Sequence, residues 1–414
     1  MTEPERTVLQ RIFSRRGALQ AVLLPVLAVF TALVIGAIII AASSADVLAA
    51  WKGVARDPLA AIAATFSTVF EAYVALFEGS FGSPARVIRG IGVLIQNGES
   101  RPLLDALRPF TESLVIAAPY IFAGLAVAVS FQGGLFNIGA EGQLFVGGLA
   151  SVYVGYSITG LPWVVHMPLS LVAGILAGAV WGAIPGLLKA RTGAHEVINT
   201  IMMNYVAFRL ADHLLQGPMA RPDGLPITPE IKPSAYLPAL LPRPVRLHVG
   251  FFLALAVAAL IYWFLYRTTR GFEIRMVGSS SRAARYAGVR ITWITVLTMA
   301  VSGALAGLAG VNQVLGVDHR MVRAFSAGYG FDSIALALLG NSHPLGVVLA
   351  SLLFGFLRGG AARMQSVATV PVEIIRIVQG LIIVFIAAPE IIRGLYRLKV
   401  VRGAEALHIR GWRS

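Results

Sequence analysis

The sequence predicts an all-α polytopic membrane protein, and its composition carries that prediction. Of the 414 residues, 57% are hydrophobic and only 13% are charged, and the mean hydropathy is +0.76. Soluble domains carry about 25% charged residues. Apolar runs recur along the chain, and most are close to the roughly 20 residues that a helix needs to cross a hydrocarbon core. We therefore expect one bundle of about 10 transmembrane helices rather than several globular domains.

The N-terminal region predicts one span and an external insertion. Residues 1–18 form a basic arm, and the apolar run at 19–44 exceeds the roughly 7–15 residues of a signal-peptide core, so it predicts a first transmembrane helix. Residues 45–109 carry six basic and six acidic residues. Such balanced charge is typical of the outer side. The apolar stretch 59–77 contains Glu71, which favours an interfacial helix over a span.

Residues 110–391 contain the remaining apolar runs, and a basic tail, residues 392–414, follows. The runs stand at 112–130, 138–158, 164–188, 197–215, 249–266, 292–314, 345–360 and 373–391, with a shorter one at 329–341. A basic arm and a basic tail both favour the cytoplasm, which requires an even number of crossings. The short run therefore counts as a tenth crossing. The connection 217–248 then lies outside, and its eight prolines predict an extended cap or strap.

Two segments at membrane depth share an unusual composition. The first broken segment, residues 133–148, and the second broken segment, residues 326–341, each combine glycines, an aromatic residue and an acid or amide in an apolar setting. They hold matching places in two four-helix units of opposite starting side. The sequence therefore predicts two inverted four-helix repeats containing short broken helices, an arrangement common in transporters.

Polar residues within the broken segments allow two interpretations. Asn137, Glu141 and Gln143 lie in the first segment, and Asp332 lies in the second. Acids inside a bilayer are costly and usually face the bundle interior or a watery cavity. These side chains either satisfy free backbone groups at helix ends or contact a passing solute.

Glycines recur with helical spacing in two of the predicted spans. Every fourth residue from Gly174 to Gly186 is glycine, and Gly303, Gly307 and Gly310 follow a similar spacing. Small residues at such intervals allow a neighbouring backbone to approach closely. We predict that these two helices pack tightly against other helices.

Several classes of chemistry are not supported by the sequence. Each lysine follows a residue other than glycine, so no Walker phosphate loop is present. The nearest match to a zinc-protease motif begins at His195 but has Asn199 in place of the second histidine, and the chain has no cysteine. The net charge of +14 collects at the ends of apolar runs and in the tail, as headgroups and topology demand. We expect no catalytic residues, metal, cofactor or nucleic-acid partner.

A basic island, residues 267–291, separates two apolar runs. It contains six arginines and one acid, Glu273. Such an excess of positive charge predicts a cytoplasmic loop.

Three stretches carry a resemblance to a known family. The sequences GLFNIGAEGQ at 134–143, GAHEVINTIMMNY at 193–205 and GFEIRMVGSSSRAARYAGVRI at 271–291 resemble permease subunits of bacterial ABC importers for branched-chain amino acids, simple sugars and nucleosides. The stretch HEVI with MMNY looks most like the nucleoside permeases. The resemblance implies a permease core at 110–391 and a multi-pass protein of the bacterial cytoplasmic membrane. The resemblance also implies that the chain is not itself an enzyme.

The same resemblance implies partners and site residues. The implied partners are an ATP-binding subunit that hydrolyses ATP, a second permease, and an extracytoplasmic substrate-binding lipoprotein. We expect the two permeases to form a heterodimer, and a homodimer stays open on the sequence alone. The middle of the basic island would be a short helix in a groove of the ATPase, with Ala283, Ala284 and Ala287 as its apolar face. The alternative is a loop that only sets topology. The expected coupling residues are Arg275, Gly278, Arg282, Ala283, Ala284 and Gly288, and the expected path residues are Phe136, Asn137, Glu141, Asn199, Asn204 and Asp332.

Other functions stay open on the sequence alone. Simple sugars or branched-chain amino acids are rival cargoes. Glu141 and Asp332 would also serve an ion-coupled secondary transporter, and a passive channel would need no energy source.

Overall fold

The computed structural model describes residues 15–323 and 325–397, and the regular secondary structure in this part of the chain is helical apart from one isolated bridge between Ala239 and His248. The first helices are α1 (Arg15–Ser43), α2 (Ala45–Lys52), α3 (Pro58–Phe81), α4 (Pro84–Asn97), α5 (Arg101–Gln132), α6 (Ala140–Ser157), α7 (Trp163–Thr192) and α8 (Glu196–Gln216). The remaining helices are α9 (Gly250–Arg267), α10 (Thr269–Ser279), α11 (Ser281–Tyr286), α12 (Ile291–Gln313), α13 (Tyr329–Leu339), α14 (Pro344–Ala368), α15 (Val372–Ala387) and α16 (Pro389–Leu395). The predicted arm 1–18 and tail 392–414 lie largely outside the described residues.

Helix ends follow local sequence signals. Ser44 accepts a hydrogen bond from the N–H of Val47 and so begins α2, because a hydroxyl can satisfy a free N–H in the first turn. Gly98 and Gly193 end α4 and α7 with φ of 71° and 70°, a left-handed backbone that glycine adopts without steric cost. The last turn of α12 widens into a π-helical turn at Val314–Asp318.

The chain divides into two compact units, of which the first comprises residues up to 77 and from 361. In this unit α1 packs against α15 and α16. The Tyr73 hydroxyl donates to the carbonyl of Leu33, and the hydroxyls of Thr31 and Tyr396 are 2.9 Å apart. These contacts tie the first helix to α3 and to the C-terminal helices.

The second unit, residues 78–360, is built around α5 and α12. In the most apolar stretch of each helix, 83% of the residues of α5 and 72% of those of α12 are buried, against 28% for α7 and 33% for α9. The helices α6, α7 and α13 pack on this central pair. The inner helices of the bundle are therefore α5 and α12.

The predicted glycine packing is confirmed, because α7 lies against α12 with almost no side chain between them. A Cβ atom built on Gly178 would lie 2.8 Å from the Cα of Gly307, and one on Gly182 would lie 2.9 Å from the Cα of Gly303. Real Cβ contacts are not that short. Larger residues at these positions would force the two helices apart.

Seven helical stretches in the described residues are long and apolar enough to cross a membrane, so the predicted count of about ten is not confirmed. They are Leu23–Ser43, Pro58–Asn97, Arg101–Gln132, Trp163–Thr192, Gly250–Arg267, Ile291–Asp318 and Pro344–Ala368. Three of the predicted spans form helices that fall short. The reason is polar content in α6 and α8, and a length of only 16 residues in α15. The run at 329–341 forms the 11-residue helix α13.

The region 45–109 contains more helix than the sequence suggested. The apolar stretch with Glu71 is part of α3, a helix of 24 residues, which contributes to one of the seven candidate spans. The prediction of an interfacial helix here stays a prediction.

The connection 217–248 is ordered by backbone hydrogen bonds. The N–H groups of Ile231 and Leu237 donate to the carbonyls of His319 and Leu315, at 2.9 Å each, and the N–H of Lys232 donates to Gly155 at 2.8 Å. The connection is therefore strapped across the end of α6 and the π-helical turn.

Candidate functional site

The first broken segment is held by a closed network of amides centred on Asn137, which is fully buried. Its Nδ2 donates to Gln143 Oε1 at 2.9 Å and to Ser302 Oγ at 2.8 Å. Its Oδ1 accepts from the N–H of Gly139 at 2.9 Å. Because Ser302 lies on α12, this network fixes the start of α6 against an inner helix.

Glu141 bridges the two broken segments. Only 3% of its surface is exposed. One carboxylate oxygen accepts from the Ser326 hydroxyl, and the other accepts from the N–H of Gly330 at 2.6 Å. The second contact places negative charge on the N-terminus of α13, where free N–H groups and the helix dipole stabilise an anion. Both oxygens therefore act on this chain's own backbone and side chains.

Helix α8 supports the first segment from its other side. Asn204 accepts from the N–H of Gly142 at 2.8 Å and donates to the carbonyl of Ile138 at 2.9 Å. Asn204 is 2% exposed. Asn199 lies on the same helix but is half-buried, and among the described residues its Nδ2 has no hydrogen-bond partner. Phe136 is half-buried, with its ring 5.0 Å from that of Phe131.

Asp332, in the second segment, has different surroundings. Its Oδ2 accepts from the Tyr120 hydroxyl at 2.7 Å and lies 3.7 Å from Nη1 of Arg358. Its side chain is 41% exposed. Tyr120 and Arg358 are not among the residues predicted from the sequence. The signal available was an arginine well inside the apolar run of α14.

The predicted path residues therefore fall into two groups. The structure brings the first group together around the start of α6, where Asn137, Glu141 and Asn204 are buried and hydrogen-bonded. Asp332 lies near this group along α13, whose first turn contacts Glu141. Whether any of them contacts a solute stays a prediction.

The basic island forms two short helices, each begun by a capping hydroxyl. Thr268 accepts from the N–H of Gly271 at 3.1 Å, and Ser280 accepts from the N–H of Ala283 at 3.2 Å. Arg275 donates to the carbonyl of Leu265 at 3.0 Å and lies over the ring of Tyr266. The island is thus an ordered element rather than an open loop.

Gly278 joins the island to the end of α5. A Cβ on Gly278 would lie 2.7 Å from the N atom of Gly134 and 2.8 Å from the carbonyl carbon of Gly133. Only glycine permits this backbone contact. Movement of α10 would therefore reach α5 directly.

The faces of α11 differ from the expected ones. Ala284 is fully buried within this chain, so it cannot belong to an outward apolar face. Arg282, Ala283 and Ala287 are exposed, and Tyr286 is 95% exposed. The expected apolar face differs from the observed one because tertiary packing turns one side of this short helix inward. Gly288 ends the element with φ of 80°.

At the opposite end of the bundle, burial controls a histidine of the connection. His248 is 2% exposed, and its Nδ1 accepts from the N–H of Gly250 at 3.1 Å. Burial, with smaller contributions from His319 and Arg246, lowers the pKa of His248 to about 4. His248 is therefore neutral at pH 7.

Comparison with known proteins gives consistent matches. The model of the family described as branched-chain amino acid transport system / permease component matches residues 110–387. The guanosine ABC transporter permease protein NupP of Bacillus subtilis is 42% identical over 68% of this chain and 82% of its own length. The glucose ABC transporter permease protein TsgB13 of Haloferax volcanii is 37% identical over 72% of this chain and 81% of its own.

A third relative is the nucleoside ABC transporter permease protein NupB of Lactococcus lactis, 33% identical over 74% of this chain and 87% of its own length. No solved structure matches the chain. The apolar helices and these relatives together indicate a multi-pass protein of the bacterial cytoplasmic membrane. The chain belongs to the family of branched-chain amino acid transport system permease components.

Proposed function

We propose that this chain is a permease subunit of an ATP-driven ABC importer and that its cargo is a nucleoside. The observation that supports a nucleoside as the cargo is the 42% identity to a guanosine permease over most of both chains. A second nucleoside permease is also among the relatives. The chain supplies the path, and a separate subunit hydrolyses ATP.

Glucose is the rival cargo, because a glucose permease is 37% identical to this chain. The test is uptake of radiolabelled guanosine, adenosine and glucose by cells that lack their own systems and express the complete importer. We expect nucleoside uptake that stops when the ATPase partner's phosphate-loop lysine is replaced. Glucose uptake without nucleoside uptake would refute the cargo, and uptake indifferent to that lysine would refute the class.

The second permease should be a different chain. Bacillus subtilis has a guanosine permease protein NupQ, 29% identical to this chain, beside NupP at 42%. This unequal similarity supports a heterodimer in which the present chain corresponds to the NupP partner. Co-purification of tagged and untagged copies of this chain would reveal a homodimer and refute that arrangement.

We infer two inverted repeats, α5–α8 and α12–α15, in which helices of each repeat pack against the first helix of the other. Helix α7 packs on α12 through glycines. Correspondingly, a Cβ on Gly355 of α14 would lie 2.7 Å from the Cβ of Ala117 on α5. Helix α6 packs on α12, and α13 packs on α5. In each repeat, the second and third helices thus pack against the first helix of the other repeat. This reciprocal packing supports an inverted relation.

The inverted arrangement can be tested by labelling, since the chain has no native cysteine. In intact cells an impermeant thiol reagent should label a cysteine at Lys232 but not one at Ser280. Both residues lie outside the helices that cross, so accessibility reports side alone. Labelling of the Ser280 variant from outside would place the basic island on the wrong side and end the proposal.

The basic island would transmit force from the ATPase to the path. The exposed face of α11 offers Arg282, Ala283 and Tyr286 to a partner, while Gly278 abuts the end of α5. Closure of the ATPases would then tilt the inner helices and open the path to each side in turn.

The double variant Arg282→Glu with Ala283→Trp should abolish uptake while the importer still hydrolyses ATP. Arg267→Glu, an equal charge reversal outside α11, is the matched control and should retain uptake. Normal uptake by the double variant would refute docking at this face. Ala284 is unsuitable for this experiment, because bulk there would disturb the chain's own packing.

A further inference from the structure

A charged and aromatic cluster lies midway along the membrane helices of the second unit. Its central residue, Arg358, is fourteen residues after the first residue of α14 and ten before its last. At 1.5 Å per residue, Arg358 is roughly 20 Å from the start of α14 and roughly 15 Å from its end. It therefore lies well inside a hydrocarbon core of about 30 Å.

Arg358 is held by several contacts. It donates to the Tyr120 hydroxyl at 2.6 Å and to the carbonyl of Ala327 at 3.0 Å. Its guanidinium carbon is 5.0 Å from the ring centre of Tyr329, within cation–π range. Tyr120 is fully buried, and its hydroxyl donates a hydrogen bond to Asp332. The arginine thereby fixes the tyrosine that orients the carboxylate.

The carboxylate of this cluster is open at the surface of the chain. The side chain of Asp332 is 41% exposed, and its neighbour Phe331 is 46% exposed. A charged pair at the bilayer centre is too costly to face lipid, so such groups face water or protein.

The opposite side of α14 is apolar and exposed. Leu345 and Leu349 are 64% and 61% exposed. Leu349 is nine residues before Arg358, which is half a turn around a helix of 3.6 residues per turn. The two faces of α14 therefore serve different surroundings.

A second charged pair extends the polar side toward the connection 217–248. Arg246 of that connection forms an ion pair with Glu112, eight residues before Tyr120 on α5. The spacing corresponds to about 12 Å along the helix. Polar groups thus continue from the strapped end of the bundle to its middle.

We propose that Asp332 lines the polar wall of the solute path, with Tyr120 and Arg358 behind it, and that the ligand at this wall is an uncharged, polyhydroxylated solute, a nucleoside if the proposed function holds. Asp332 accepts hydrogen bonds from solute hydroxyls, and the exposed ring of Phe331 contacts the flat base. Arg358 is a positioning residue. Its charge balances the carboxylate, so a neutral solute passes without being held.

The first test does not depend on the cargo. Single cysteines replace Phe331 and Leu349 in the complete importer in membranes, and a charged thiol reagent is applied. We expect the Phe331 variant to react at least tenfold faster, because its face is wet and the Leu349 face is not. Equal or slower reaction at Phe331 would mean lipid or a dry protein contact and would overturn the proposal.

The second test measures uptake per assembled importer. Asp332→Asn and Arg358→Gln should each lower the maximal rate at least tenfold at unchanged KM, with ATP hydrolysis retained. Arg358→Lys should recover part of the rate. A purely structural role would lower the amount of complex but not the rate per complex, and that result would overturn the assignment.

The matched control is Arg323→Gln. Arg323 also pairs with an aspartate, its Nε donating to Asp212 at 2.8 Å, but it is exposed outside the cluster. We expect an unchanged rate. If the unsubstituted importer carries sugar instead of nucleoside, the proposed cargo fails while both tests of the wall remain valid.

Discussion

The two broken segments have similar compositions, but their acids differ in exposure. In the first, Asn137 and Glu141 are at most 3% exposed and hydrogen-bond to their own chain. In the second, the side chain of Asp332 is 41% exposed and lies beside an arginine. A polar residue at membrane depth can therefore be buried in support of the fold or stay accessible at the surface of the chain. The distinction lies in what surrounds it, which composition does not reveal.

The largest effect should follow from truncating the Asn137 side chain in the first broken segment. Asn137→Ala would leave Gln143, Ser302 and the N–H of Gly139 short of a partner in a fully buried site. We expect a loss of about 4 kcal/mol, since each orphaned group costs about 1–3 kcal/mol. Little folded protein should remain on size-exclusion chromatography.

The matched truncation in the second segment is Asp332→Ala. This change leaves the buried Tyr120 hydroxyl without its acceptor, so we expect a loss of about 1–3 kcal/mol in stability, smaller than for Asn137→Ala, while uptake falls. Equal yields of the two variants would abolish the contrast between the segments.

Acid should weaken the packing of His248 against the π-helical turn, which precedes the second broken segment. A Cβ on Gly316, in the π-helical turn, would meet the ring of His248, and burial lowers the pKa of that histidine to about 4. Because the unfolded chain binds the proton at about 6.5, stability is complete above that pH and falls as the pH drops toward 4.

The full loss is about 3 kcal/mol, from a shift of 2.5 pH units at 1.36 kcal/mol each. Thermal melting of the purified protein between pH 8 and pH 4 measures it. His248→Gln should flatten the profile. An equally steep profile in that variant would assign the acid sensitivity to other groups.

A smaller effect should follow from Glu141→Gln. The amide oxygen can still accept from one donor, but the charge on the first turn of α13 is lost. We expect about 1–2 kcal/mol, in line with hydrogen bonds to charged groups and the helix dipole. Uptake per folded molecule should stay within twofold. A tenfold loss of uptake in stable protein would instead make Glu141 a path residue.

Asn199→Ala should have the smallest effect on the fold. The side chain is half-buried, and its Nδ2 has no partner in the described part of the chain, so stability should change by less than about 0.5 kcal/mol. If Asn199 faces the path, uptake should fall two- to threefold. Unchanged uptake would remove it from the predicted path residues.

Much of the fold could be predicted because its signals are local. The glycine spacing of α7 and α12 predicted their close packing, and the arginines of the basic island marked the segment that forms α10 and α11. The two broken segments were visible as glycines beside acids and amides. The predicted number of spans is not confirmed, because the polar content of α6 and α8 makes them weak candidates.

The partners within the site could not be predicted from local signals. Arg358 meets Tyr120 across 238 positions of sequence, and Tyr120 meets Asp332 across 212. The inward turn of Ala284 is likewise decided by packing. Contacts of this range depend on the completed fold, so only the isolated arginine in an apolar helix gave a hint.

The bridge from Glu141 to α13 has a consequence for biosynthesis. The carboxylate reaches its N–H partner 189 positions later in the chain, so the nascent first half carries an unsatisfied acid until the ribosome has made the second. We expect chains stopped at residue 325 to be recognised by membrane quality control and degraded. Pulse-chase of that truncation would show it, and Glu141→Leu should lengthen the half-life of the fragment.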